Sequence, residues 1–171
     1  LVGRGDEAGY RAAIEGVEGV RAAASIDTVT DGVVRVRVQT DAGDEVIERM
    51  KDAQKALLDE LWDKRKADLP VKSREEAIIL ASVVEKETGN PDEQPEVAGL
   101  YLNRLRTGMQ LQADATIVYG IAKGKPLGRA ITKAEINAPT PWNTYTIPGL
   151  PKTPICNPGA GAIRAVLNPA I

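Results

Sequence analysis

From Glu45 to Lys66 the apolar residues Val46, Met50, Ala53, Leu57 and Leu61 recur every three or four positions, with Lys, Glu and Asp between them. That spacing gathers them on one stripe of an α-helix and turns the charges outward. Leu69-Pro70-Val71 ends the segment, because the residue before a proline disfavours helical geometry. Ser73 then opens a second helix, with Glu76 three residues on in the capping-box arrangement and Ala77-Ile78-Ile79-Leu80-Ala81 following. Ala77, Leu80, Ala81, Val84 and Thr88 fall on one side of it, and Gly89-Asn90-Pro91 terminates it. A third helix is predicted from about Glu93 to Thr107, with Val97, Leu100, Tyr101 and Leu105 inward and Gly108 as its stop.

The texture differs at both ends. Residues 6–24 have helical composition, but Gly16 and Gly19 make the helix short or broken. Ser25–Val29 and Val33–Val38 flank Thr30-Asp31-Gly32, and VVRVRV alternates with period two, so this piece predicts a β-hairpin. Arg35 and Arg37 read as its solvated face. Downstream, Gln110–Asp114 is extended, and Asp114 is expected to cap a short helix through Ile121. Residues 124–158 are rich in Pro and Gly yet carry Trp142, Tyr145 and Ile147, which predicts an ordered, site-forming loop. A last helix covers Gly159–Leu167. The expected class is α+β: a mainly helical core over residues 43–171, a helix-hairpin segment of unknown role over 1–42, and the long loop.

Composition sharpens this. Of 171 residues, 43% are hydrophobic and 4% aromatic with no Phe, so the core must be aliphatic. There is no His, which excludes Ser-His-Asp and Cys-His catalysis and His-ligated zinc. The single Cys156 permits no intrachain disulfide and reads as a semi-buried loop residue. A net charge of −2 with interspersed signs carries no nucleic-acid footprint. The longest apolar run, Ala77–Val84, falls far short of the ~20 residues needed to span a bilayer. Because the chain begins at Leu1, it reads as a fragment. What remains is chemistry by carboxylates, hydroxyls, amides, Lys, Arg and Tyr.

The sharpest oddity is Val83-Val84-Glu85-Lys86-Glu87-Thr88, two carboxylates closing an apolar helix. On the helical wheel Glu85 and Glu87 flank the apolar stripe on opposite sides, where a partly dry carboxyl is raised toward the pKa of a general acid. An ordinary charged helix end fits the pattern too, and periodicity does not choose between the two glutamates. A second polar group comprises Asn103, Arg104, Gln112, Asp114, Thr116, Tyr119, Asn143, Thr144 and Tyr145. Amides, hydroxyls and aromatics of this kind recognise sugars, although caps and loop ties account for several. Gly120–Gly128 lacks the Gly-Lys-Ser/Thr ending of a phosphate loop.

Three stretches in order, ASVVEKETG, VAGLYLNRLRTGMQLQADATIVYGI and PTPWNTYTIPGLPKTPICNPGAGAIRAVLNPA, closely resemble the YceG-like endolytic murein transglycosylases, over about residues 45–170. The resemblance implies cleavage of the β-1,4 bond between N-acetylmuramic acid and N-acetylglucosamine in peptidoglycan, leaving 1,6-anhydromuramyl ends. It implies Glu87 as the catalytic acid/base, with Glu85 accessory. Gln112, Asp114, Tyr119, Asn143, Thr144 and Tyr145 would line the cleft. One glutamate suffices for such a lyase: it protonates the glycosidic oxygen, then accepts the proton of the substrate's own C6 hydroxyl as that closes onto C1. No cofactor or metal is implied. The implied partners are peptidoglycan strands and peptidoglycan synthases, and the implied location is extracytoplasmic, at the periplasmic face of the inner membrane behind an upstream anchor. The chain departs from the family pattern at Ala115, where Pro is usual, and at Trp142, where Tyr is frequent. It also stops at Ile171, before strands that carry a His. A glycan-binding module without turnover and a true hydrolase are the competing expectations.

Overall fold

The computed structural model describes the backbone of residues 20–29, 33–40 and 43–170, and side chains from Glu48 to Ala170. The chain divides into two compact units, residues 1–60 and 61–171.

In the first unit, strands β1 (Val20–Val29) and β2 (Val33–Thr40) pair antiparallel with Val29 opposite Val33 and Ile26 opposite Val36. Residues Val20–Ala24, expected in a helix, belong to β1, with register shifts at Val20/Ala22 and Ala23/Ser25. The predicted turn Thr30-Asp31-Gly32 and the rest of the predicted helix lie outside the described residues. Helix α1 (Gly43–Asp63) follows. Its flank carries the pairs Lys51–Glu48 at 2.6 Å and Lys55–Asp59 at 2.9 Å, exposed contacts that add only tenths of a kcal/mol. Met50, expected inward, is 45% exposed.

Every regular element described in the second unit is helical: α2 (Arg74–Glu87), α3 (Gln94–Thr107), α4 (Asp114–Ala122), α5 (Lys133–Ile136) and α6 (Ala160–Leu167). Helix α2 packs against α3, α4 and α6, and α3 packs against α6. At the start of α2 the Ser73 hydroxyl accepts from the Glu76 amide, while the Glu76 carboxylate accepts from the Lys72 amide, one residue earlier than in an ideal capping box. The wheel reading of α2 holds: Ala77, Leu80, Ala81, Val84 and Thr88 are all buried.

On α3 the buried face is Gln94, Ala98, Gly99, Tyr101 and Leu102, whereas Leu100 is 51% exposed. Leu100 and Leu102 flank Tyr101 by about 100° on either side. Only tertiary packing decides which of the two turns inward, and here it is Leu102. Gly108, at φ 72°, supplies the left-handed residue that ends α3, and the Met109 amide closes back on the Arg104 carbonyl at 2.8 Å. The core is aliphatic as expected: Leu80, Leu102, Leu111, Ile163, Leu167, Val83, Val84 and Val166 are its largest sealed apolar side chains. Each such leucine contributes about 1.5–3 kcal/mol by leaving water.

The 124–158 segment is tied by its own hydrogen bonds. Helix α5 was not foreseen in it, yet Thr132 and Glu135 form a complete capping box. Arg129 also grips Glu135, and that contact first, then the Thr132 bonds, hold its carboxyl down at about 2. Further along, the Trp142 indole donates to Thr153 Oγ1 at 2.9 Å, and the Lys152 amide donates to the Pro141 carbonyl at 2.9 Å. The last residues are stitched down too: Lys66 Nζ donates to the Pro169 carbonyl at 2.7 Å and the Ala170 amide to the Pro95 carbonyl at 3.1 Å.

Candidate active site

Helix α2 ends with its two glutamates in different surroundings. Glu85 is half-buried, and its Oε2 accepts a hydrogen bond from the Gly159 amide at 3.1 Å, at the N-cap of α6. A carboxylate there answers an orphan helix N–H and the positive end of the helix dipole. Glu87 is exposed at the last position of the helix, so the semi-dry setting expected for both glutamates holds only for Glu85.

Glu87 instead meets Tyr101 of α3. The phenol is 3% exposed and faces the Glu87 carboxylate. Burial first, then the interaction with the Glu87 carboxylate and its charge, push its pKa well above that of an ordinary tyrosine. One turn further along α3, the Arg104 guanidinium donates to the Leu111 carbonyl and opposes that shift.

The long loop closes the cluster. The Tyr145 hydroxyl donates to Asp114 Oδ1 at 2.6 Å, a length typical of a bond to an ionised acceptor. Tyr145 is pushed up to about 12 by that bond first, then by burial and by the charges of Asp114 and Glu87, with Arg104 pulling the other way. Two phenols, two carboxylates and one guanidinium thus share one electrostatic neighbourhood, although they come from α2, α3, α4 and the loop. Asp114 was expected to cap α4. It is the first residue of that helix, and its side chain makes no capping bond.

The family model for the YceG-like family matches residues 35–171. The chain belongs to this family. Among its curated relatives, the endolytic murein transglycosylase of Bacillus subtilis is 35% identical over 92 residues, covering 54% of this chain and 25% of that protein. The endolytic murein transglycosylase of Streptococcus pneumoniae serotype 2 is 37% identical over 98 residues, covering 54% of this chain and 17% of that protein. The chain therefore spans about a fifth of the length of these relatives. Among solved structures, a yceG-like protein from Listeria monocytogenes superposes with a TM-score of 0.63 at 27% identity, over 82% of this chain and 45% of that one.

In this YceG-like chain the other cleft candidates divide into groups. Asn143 is 1% exposed, and its amide donates to the carbonyls of Glu135, Ile136 and Ala138 at 3.3, 2.9 and 2.8 Å. Its Oδ1 accepts from the Tyr145 amide at 3.0 Å. Thr144, fully buried, accepts from the Ala113 amide at 3.0 Å and meets Thr116 Oγ1 at 2.9 Å. Both residues set the loop's path, and their side chains face inward. Gln112 is exposed beside Asp114 with φ 54°. That left-handed conformation costs on the order of 1 kcal/mol for a residue other than glycine. The Gln112 amide bond to the Thr144 carbonyl, at 3.1 Å, helps hold it. Tyr119 stands edge-on to Trp142 at 5.9 Å with Lys123 Nζ 3.0 Å from the Trp142 ring centre, an aromatic-cation group of its own.

Sequence reasoning missed Tyr101, which it assigned to the core, and it left Arg104 in an undifferentiated polar cluster. The available signal was that Tyr101 is the one aromatic on the inward stripe of an otherwise aliphatic helix. Among the described residues no group of three His, Cys, Asp or Glu side chains could hold a metal ion.

Proposed function

We propose that this chain carries the catalytic centre of a peptidoglycan lytic transglycosylase, with Glu87 as general acid and then general base. The observation that carries the reading is the setting of Glu87: an accessible carboxylate facing a buried phenol and sharing its field with the Tyr145–Asp114 pair. Family membership and the curated relatives, which are endolytic murein transglycosylases, support it. In this mechanism Glu87 protonates the oxygen between N-acetylmuramic acid and N-acetylglucosamine as the bond breaks. It then takes the proton of the C6 hydroxyl, which closes onto C1 to give the 1,6-anhydro end. Tyr101 fixes the rotamer of the carboxylate, and Gln112, Asp114 and Tyr145 form the sugar-facing wall. We further take residues 43–171 as the catalytic domain and the N-terminal strands as a small β-hairpin appended to it, an α+β arrangement. Action outside the cytoplasm at the membrane face, alongside peptidoglycan synthases, completes the reading.

The test is digestion of purified murein followed by mass spectrometry. Anhydro-muropeptides from the wild type and none from Glu87→Gln are expected. Equal product from the variant, or glycan binding without product, overturns the proposal. A second reading is favoured by the nearness of Asp114: two carboxylates around one bond are the equipment of a hydrolase. Reducing ends in place of anhydro ends would identify it.

A further inference from the structure

Away from Glu87 the second unit holds a cleft of about 450 Å³. It lies among the segment after α1, the first turn of α3 and the outer side of α6, and its wall includes Lys64, Arg65, Arg164, Gln94 and Asn168. None of its eleven lining residues is acidic, in a chain whose acidic residues outnumber its basic ones. Arg164 projects exposed from the last turn of α6. Arg65 lies over the Trp62 ring at 4.2 Å and donates to the Trp62 carbonyl at 2.6 Å, which restrains its guanidinium. Arg stacked in this way loses less freedom on binding a carboxylate than a free lysine does.

A second observation is independent of charge. Gln94 is 93% buried by its 7% exposure, and its side-chain amide, which borders the cleft, makes no hydrogen bond among the described residues. It is seated against Gly161, where an added Cβ would come within 2.6 Å of its Oε1. The Gln94 amide has no protein partner and its polar atoms stay open to the cleft, so both its donor and its acceptor are available to a ligand.

We infer that this cleft binds the stem peptide of the murein strand, with Arg164 and Arg65 taking a peptide carboxylate and Gln94 a peptide amide. The inference rests on the proposed peptidoglycan substrate and extends it from sugar to peptide. Gln94 and Tyr101 lie two turns apart on the same face of α3, about 10 Å along its axis. A peptide of three to five residues extends roughly 10–17 Å, which is long enough to cover a separation of that size. Free amides and carboxylates are what such a stem presents, and the wall offers an acceptor-donor amide and planar cations in return.

The test titrates the whole chain with a synthetic stem tetrapeptide bearing free carboxylates, and with the same peptide amidated, following backbone amides by NMR. Expected are shifts at Gly161 and Ala165, binding of the free acid about tenfold tighter than of the amidated form, and about tenfold weakening by Arg164→Gln. Gln94→Leu, which keeps the packing volume, should weaken both peptides alike. Absence of shifts, equal binding of the two peptides, or indifference to Arg164→Gln and Gln94→Leu overturns the inference. Glu87→Gln separates the two proposals: it removes murein cleavage and leaves peptide binding intact. Peptide binding by a wild type that never cleaves murein would leave the cleft standing and sink the catalytic reading.

Discussion

The Tyr145 hydroxyl and the Asp114 carboxylate meet at 2.6 Å across 31 residues of sequence. Their bond draws the long loop onto the start of α4, beside Glu87. Tyr145→Phe removes that bond and keeps the ring. Because both groups are accessible, the expected loss of stability is small, about 1 kcal/mol or less. The expected loss of murein cleavage is larger, at least tenfold, read as kcat/KM beside a urea melt. A variant that cleaves normally would remove Tyr145 from the site.

Glu85 and Glu87 should separate cleanly. Glu85→Ala strips the carboxylate from the N-cap of α6 and is expected to cost about 1 kcal/mol in chemical unfolding. Glu87→Gln should leave the melt unchanged and abolish cleavage. An Glu85 variant as stable as the wild type would refute the anchoring role.

Asn143 should be among the costliest loop positions. Asn143→Ala orphans the carbonyls of Ile136 and Ala138 inside the structure and opens a cavity. The expected cost is about 2–4 kcal/mol in a urea melt. Asn143→Asp is expected to be at least as damaging, since a carboxylate would then face those carbonyls.

Gly99 faces the Ala170 carbonyl so closely that an added Cβ would stand 2.4 Å from its oxygen. Gly99→Ala should therefore loosen the last residues from α3. A melting temperature lowered by several degrees, with faster proteolysis near Pro169, is the expected result. Unchanged proteolysis would show that the contact relaxes without cost.

Alkaline pH should destabilise the fold. Burial pushes the Cys156 thiol from 9.0 up to about 12, and its Asp114 bond raises Tyr145 from 10.0 to about 12. Both are protonated longer in the folded chain than in the unfolded one, so their contribution is complete below pH 9 and disappears between 9 and 12. Stability measured across that window should fall, and less steeply in Tyr145→Phe. The Cys156 thiol, bonded to the Ser82 carbonyl at 3.3 Å, should also react with thiol reagents far more slowly in the folded chain.

The helices α2, α3 and α6 were legible because each buries a stripe whose spacing repeats locally, and a single glycine, Gly108, stops α3. The extent of burial across α3 was not. Leu100 and Leu102 are equivalent in sequence, and only the tertiary packing of α3 separates them. Likewise the order of the 124–158 segment was foreseen from its aromatics, while α5 was hidden among prolines because a four-residue helix has no period to detect.

The order of residues was enough to establish that the core is aliphatic, that carboxylates and phenols are among the chemistry at hand, and that two glutamates close an apolar helix. It did so because composition, periodicity and capping are properties of neighbouring residues. Which glutamate is accessible to a substrate was decided only by tertiary structure. Gly159, 74 residues from Glu85, occupies one carboxylate, and Tyr101 and Tyr145 converge on the other. A helix end fixes where two side chains begin, but what surrounds them depends on chain segments that meet only after folding.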